Sequence, residues 1–390
     1  MKRTFFTLML LGLGLGAAAQ ELQTLREYLE AGLERNYDIR IIRNEERISD
    51  NNATAANAGK LPTIDLSAGY TGRLDNDRTT PRGGDPVTEN GIYNQTFDVG
   101  LAVNWTLFDG FRIRAEYAKL EELKAKGALQ TRLTIEDFIA SFTAEYYNFV
   151  QQKLRLGNYL YAMALSRERL RIAEEWYRVG SSARLDVLQA RVDFNADSSQ
   201  YMSQQEAVTA SRIRLNELLA NEELDRKLNV RDSLIAIDAD LEWERLMAQT
   251  RETNASLLLA DRDNTISELE LESIRSRNYP YLKLQAGYGY THNRYGGGAN
   301  RSNGTLGLNA GVQVGFTIFD GNRRREQRNA RIGIENARLT RMQLEQSLMA
   351  DLATFWQAYR NNLEVIRLEE ENLTAARENY RIAMERYRQG

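Results

Sequence analysis

Residues Gly100 to Gly110 read GLAVNWTLFDG, and Gly311 to Gly321 read GVQVGFTIFDG. Apolar residues alternate with small or polar ones in both, and both end in Phe-Asp-Gly. From Phe97 the odd positions are Phe97, Val99, Leu101, Val103, Trp105 and Leu107, and Asp98, Gly100, Ala102, Asn104 and Thr106 lie between them. In the second stretch Leu306, Leu308, Ala310, Val312, Val314, Phe316 and Ile318 face one way. Gly307, Asn309, Gly311, Gln313, Gly315 and Thr317 face the other. Segments of about ten residues, apolar on one face only, are the mark of a transmembrane β-strand. Ile64–Tyr70 and Leu282–Tyr290 alternate likewise, giving four such strands.

These stretches belong to a repeat that covers nearly the whole chain. LPTIDLSAGY at Leu61–Tyr70 returns as YPYLKLQAGY at Tyr279–Tyr288, 218 positions on, and Asn36 and Asn254 keep that offset. The Phe-Asp-Gly stretches are 211 apart, so the loop between the strands is seven residues shorter in the second copy. Arg171-Ile172-Ala173 and Tyr177-Arg178-Val179-Gly180 return as Arg381-Ile382-Ala383 and Tyr387-Arg388-Gln389-Gly390. The first copy continues as helix to about Ala220 and the second stops at Gly390, so the chain reads as truncated before a last helix. The organisation expected is a first repeat over 20–220, a joining segment over 221–240 and a second repeat over 241–390. The β-hairpins fall at about 63–107 and 281–318.

Four strands cannot close a barrel, and an open edge in lipid leaves backbone groups unsatisfied. If the strands span a membrane, several chains must share one barrel. The loops Thr71–Gln95 and Thr291–Thr305 are polar and glycine-bearing, which suits an outer, water-facing side.

Between the strands the pattern changes to helical spacing. From Phe111 to Arg178 there is no proline, and Phe138, Phe142, Tyr146, Phe149 and Val150 recur on one face. Such a helix is on the order of 100 Å long at 1.5 Å per residue. Val179-Gly180-Ser181-Ser182 breaks it, and the chain returns as a second helix from Leu185, making a helical hairpin. A shorter helix over Ile39–Lys60 leads to Pro62 and is placed to stack end to end with the returning helix. Asp109-Gly110 and Asp320-Gly321 suit strand-to-helix turns, with glycine permitting the bend and Asp accepting from helix-start N–H groups. Charged faces such as Glu121-Glu122 with Lys124 read as solvated surface.

The 390 residues carry 51 Lys+Arg and 54 Asp+Glu, a net charge of −3 that argues against a nucleic-acid partner. There are no cysteines and one histidine, His292, which excludes disulfides, thiol chemistry and most metal sites and triads. His292 reads as part of a polar hairpin loop, and no cofactor, metal ligand or catalytic residue is assigned. Met1-Lys2-Arg3, a short apolar run and Ala17-Ala18-Ala19 form a secretory signal over 1–19, too short for a membrane helix.

Signal, tandem repeat, paired β-hairpins and long helical hairpins together resemble the TolC-like outer-membrane efflux proteins over Leu22–Gly390. The motifs that carry the resemblance are the junctions at Pro62 and Pro280, the two Phe-Asp-Gly turns, and Tyr177-Arg178-Val179-Gly180 followed by Asp186-Val187-Leu188 and Ala190. The fold implied is mainly α with transmembrane β: long helical hairpins plus two β-hairpins per chain. Three chains would form a 12-stranded barrel in outer-membrane lipid, continued by an α-helical tunnel. The partners implied are a homotrimer, a periplasmic adaptor protein and an inner-membrane pump that supplies the energy for efflux or type I secretion. The resemblance assigns adaptor contact to the tips Val179, Gly180 and Ser181, and to Gly390, where Gln389 departs from the family's valine. It also implies a periplasmic aperture lock between the Tyr387 hydroxyl and the Asp186 carboxylate. Apart from the resemblance, Asp186 reads as support for the start of the returning helix. The alternative from another class is a structural coiled-coil surface protein whose strands form soluble sheet.

Overall fold

The computed structural model describes residues 24–231, 241–297 and 300–389. The signal segment 1–19, positions 232–240 of the joining segment and Gly390 lie outside the described residues. The chain divides into two compact units, 1–43 with 133–239 and 44–132 with 240–390.

In the first unit, α1 (Leu25–Arg35) opens with a capping box: Thr24 N–H donates to Glu27 Oε2 at 3.1 Å, and Glu27 N–H to Thr24 Oγ1 at 3.4 Å. Asn36 ends α1 and caps α2 (Tyr37–Asn52), its Oδ1 accepting from Asp38 N at 2.9 Å and Ile39 N at 3.2 Å. Its Nδ2 donates at 3.0 Å to the carbonyl of Leu218, the last residue of α4 (Arg184–Leu218). One side chain thus joins the end of the returning helix to the start of α2, the end-to-end stacking read from the sequence. The helix after this joint stops at Asn52, short of Lys60, and turns fill the gap to Pro62.

The long helix α3 spans Arg112–Arg178, 67 residues or about 100 Å. Its Phe138, Phe142, Tyr146, Phe149 and Val150 form the core of this unit with Tyr28, Ile39, Leu215, Leu219 and Leu228. The five positions spaced at helical intervals are therefore core. The Tyr28 hydroxyl donates to the Asn229 carbonyl at 3.3 Å, and burial pushes its pKa up. Asn216, fully buried, donates from Nδ2 to the carbonyls of Leu224 and Arg226 and accepts from Asn221. It ties the first turns of the joining segment to α4.

The second unit holds the N-terminal part of α3, α5 (Trp243–Thr253), α6 (Ala255–Arg275) and α7 (Arg323–Gln389). Asn254 repeats the role of Asn36, capping α6 through Ser256 N at 3.0 Å and Leu257 N at 3.2 Å. Ion pairs link α3 to α6 (Lys119–Glu270, Lys126–Asp263, Arg262–Glu122) and α6 to α7 (Arg341–Asp261, Arg338–Glu268). Of the residues read as solvated surface, Glu121 and Lys124 are exposed, Lys124 lying 3.7 Å from Asp50 of α2, whereas Glu122 is half-buried and paired with Arg262 of α6. The same α3 face approaches α2 at Gly127, where an added Cβ would stand 3.2 Å from Ser49, whereas Gly157 faces open space.

The sheet of this unit has the order β1 (Thr63–Thr79), β2 (Val87–Asp109), β3 (Tyr281–Arg294), β4 (Ser302–Gly315), every pair antiparallel. Three expectations are corrected here. The first hairpin is longer than its apolar alternation, since polar residues pair through Thr79↔Val87 and leave a loop of only 80–86. His292 is not in a loop but in β3, opposite Phe97 and Gly304. Lastly, β4 ends at Gly315 rather than at 318.

Candidate functional site

Two surfaces carry the functional reading, and each is built by the repeat. The first is the sheet. The register places Ile64, Leu66 and Tyr70 of β1 opposite Val103, Leu101 and Phe97 of β2, and the same face continues through Leu284, Tyr288 and Tyr290 to Val312, Leu308 and Leu306. These side chains form one apolar face that no other described residue covers, with Leu308 76% and Leu66 74% exposed. A contiguous apolar face of this kind marks a surface made for another apolar phase. The opposite face is small and polar. Ser67, Asp98, Asn104, Gln285, Thr291 and Asn309 line a shallow groove of about 350 Å³ there. No described helix is long and apolar enough to cross a membrane.

Strand and helix are joined at the Phe-Asp-Gly turn. Asp109 Oδ1 accepts from Ile113 N at 3.1 Å, and its other oxygen lies 3.1 Å from Arg112 Nε, so it caps α3 as expected. Gly110 has φ +71°, and a Cβ there would run into the Ser276 carbonyl, so glycine is required on both counts. Phe111 packs edge-on against Phe108 and against Tyr279, the residue before Pro280. The first Phe-Asp-Gly turn therefore seats on the second proline junction. Pro62, the first such junction, precedes β1, and the Lys60 carbonyl beside it accepts from Trp105 Nε1 at 2.9 Å. In the second turn Asp320 Oδ1 accepts from Asn322 N at 3.0 Å, but Phe319 is 85% exposed.

The second surface is the tip between α3 and α4. Gly180 takes φ +77°, and Gly180 N and Ser181 N return to the Tyr177 and Trp176 carbonyls at 3.1 and 2.9 Å, closing the end of α3. Ser181 Oγ donates to the same Trp176 carbonyl at 3.0 Å. These bonds leave Val179 74% exposed at the apex, beside exposed Trp176, Tyr177, Leu185 and Leu188. Asp186 accepts from Ala183 N at 3.0 Å, starting α4 as its position three residues into the returning helix allows. Arg191 and Glu174 pair at 2.9 Å across the two arms. The side chain of Tyr387 and all of Gly390 lie outside the described residues, and so does the expected pairing of Tyr387 with Asp186. The sequence did not single out Asn216, the residue that ties the first turns of the joining segment to α4. Asn36 and Asn254 it registered only as markers of the repeat.

Strands apolar on their exposed face and followed by helices of 67 residues define the strand-and-helix class of outer-membrane channel proteins. Solved structures show the same fold. The Campylobacter jejuni CmeC outer membrane channel matches at 17% identity over 94% of this chain and 77% of its own, with a TM-score of 0.75. The Vibrio cholerae outer membrane protein VceC matches at 15% identity over 94% and 86%, with a TM-score of 0.73. A membrane protein from Pseudomonas aeruginosa matches at 16% identity over 94% and 84%, with a TM-score of 0.75. No curated protein sequence matches. The sequence model described as "Outer membrane efflux protein" matches residues 17–221 and 246–390. The chain belongs to the outer membrane efflux protein family, and its place is the outer membrane.

Proposed function

We propose that this chain is one of three identical subunits of the outer-membrane channel of a tripartite exporter. Three four-stranded sheets close edge to edge into a twelve-stranded barrel with the apolar face toward lipid and the small polar face toward the lumen. The helices continue the conduit into the periplasm. The carrying observation is the sheet: an uncovered apolar face, a polar face opposite, and two edges without a partner strand among the described residues. The channel is passive, and a periplasmic adaptor couples it to an energised inner-membrane pump for efflux or type I secretion. The adaptor docks on Val179, Gly180 and Ser181, where the turn sets an apolar apex on a pinned backbone, and on the equivalent tip at Gly390.

The closed aperture is locked by Tyr387 hydroxyls donating to Asp186 carboxylates. Asp186 uses one oxygen on Ala183 N, which leaves the other free to accept. A hydrogen bond to a charged acceptor is worth about 1.5–3 kcal/mol, so a few suffice for a gate that docking opens. Tyr387→Phe should raise resting conductance, and unchanged single-channel steps would remove the lock. For the function itself, detergent-extracted protein in a planar bilayer should give uniform conductance steps from a trimer. A water-soluble protein without steps would sink the channel reading.

A further inference from the structure

The internal repeat makes the β2–β3 interface a template for the interface between subunits. β2 corresponds to β4 at an offset of 211 and β3 to β1 at 218. The chain therefore already contains, folded, a copy of the contact that its outer edges lack. Carrying the register across, Leu101↔Tyr288 becomes Val312 opposite Tyr70 of the partner subunit, and Gly100↔Gly289 becomes Gly311 opposite the partner's Thr71. Past the bulge between Thr106 and Phe108, the pair Phe108↔Leu282 becomes Phe319 opposite the partner's Ile64.

Independent observations say that β4 is waiting for such a strand. Ladder pairing of β1 with β2 stops at Thr63↔Asn104, so Trp105–Asp109 are held as strand by β3 alone. Pairing of β3 with β4 likewise stops at Tyr281↔Gly315. The equivalents of Trp105–Asp109, namely 316–320, have no third strand beside them among the described residues, and there β4 has ended. Exposure follows the same division: Phe108 is half-buried and Gly110 buried, but Phe319 is 85% exposed and Gly321 exposed. A Cβ on Gly100 would meet the backbone of Gly289 at 3.1 Å, while one on the equivalent Gly311 meets nothing.

We propose that β4 of one subunit pairs antiparallel with β1 of the next in this register, Val312 against the partner's Tyr70, and that 316–320 become strand on assembly. The second Phe-Asp-Gly turn then seats on the partner's Pro62 junction as the first seats on Pro280. The inference rests on the ring-closing reading above and adds its register and contact residues.

The chain has no cysteine, so engineered pairs report directly. Directly opposite residues lie about 4.5–5.5 Å apart and those displaced by two about 7–8 Å, whereas a disulfide needs Cα atoms roughly 4.4–6.8 Å apart. In full-length protein in native outer membranes, Tyr70→Cys with Val312→Cys should oxidise to covalent oligomers on a non-reducing gel. So should the lumen-facing pair Thr71→Cys with Gly311→Cys, which samples the other type of cross-strand site. Tyr70→Cys combined with Ala310→Cys or with Val314→Cys should stay monomeric on the same gel. Cross-linking by either displaced pair in place of the matched ones overturns the register and leaves the channel standing. Failure of every pair in a preparation that still gives uniform conductance steps does the same. A monomer with neither links nor steps overturns both.

Discussion

Asn216 lies where α4 hands the chain to the segment between the repeats, and replacing it should loosen that segment measurably. Its Nδ2 lies 3.1, 3.0 and 2.9 Å from the carbonyls of Arg212, Leu224 and Arg226, and its Oδ1 accepts from Asn221 Nδ2 at 2.7 Å. An amide has two protons, so three carbonyls share two bonds, and the accepted bond makes three. At about 1 kcal/mol net for each, Asn216→Ala should cost about 3 kcal/mol locally, since the side chain is fully buried and water does not replace it freely. Asn216→Asp keeps the shape but sets an oxygen against three carbonyl oxygens, so it should cost no less. Native-state amide hydrogen exchange reads local opening directly. Amides of 221–230 that exchange through this opening should do so roughly a hundredfold faster in both variants, while those around Gln152 and Gln204, paired at 2.6 Å, keep their rates. Exchange unchanged in the alanine variant, or an aspartate variant matching the parent, would refute the claim that this one amide holds the joining segment.

The two Phe-Asp-Gly turns should respond differently to one change. Gly110→Ala meets both a left-handed backbone and the Ser276 carbonyl, so the mature protein should be lost from outer-membrane fractions; normal accumulation would show that the turn yields. Gly321 has neither a positive φ nor a nearby backbone within its chain, so Gly321→Ala should leave the extracted single chain folded by circular dichroism. Near the tip, Arg171 holds the Glu168 carboxyl below the ordinary carboxylate range, and Arg381 does the same for Glu378. A carboxylate with a lowered folded pKa adds stability above its unfolded pKa and loses it as pH falls through the folded one, so any acid softening belongs below about pH 4. Both pairs are fully exposed and screened by water, so Glu168→Gln should not change melting between about pH 5 and 8; a clear drop there would mean the pair is coupled beyond its geometry.

The parts of this fold that the sequence announces are those whose environment repeats along one element. Phe138, Phe142 and Tyr146 recur at helical spacing because one side of α3 faces one core. Leu101, Val103 and Trp105 alternate because one side of β2 belongs to the sheet's single apolar face. The Phe-Asp-Gly turns and Asn36 with Asn254 were visible because each was used twice. Asn216 was not, since what it binds is backbone from a segment with no pattern of its own. Nor was the outer reach of the first hairpin. Arg73, Asp75 and Asp77 carry no apolar stripe, and β1 persists there because Asn94, Ile92 and Glu89 stand opposite. Strand is a property of the pair, whereas alternation records only what the faces touch.

The end of β4 carries this argument furthest. Phe316, Thr317 and Ile318 alternate as plainly as Trp105, Thr106 and Leu107, yet only the first-copy residues are strand. Their own pattern is the same; what differs is a third strand, present as β3 for one and missing among the described residues for the other. On the pairing proposed above, alternation over 306–318 describes the assembled state and over-reads the single chain. The residues left without that strand, led by Ile318 and Phe319 at 85% exposure each, are the ones the proposed pairing covers.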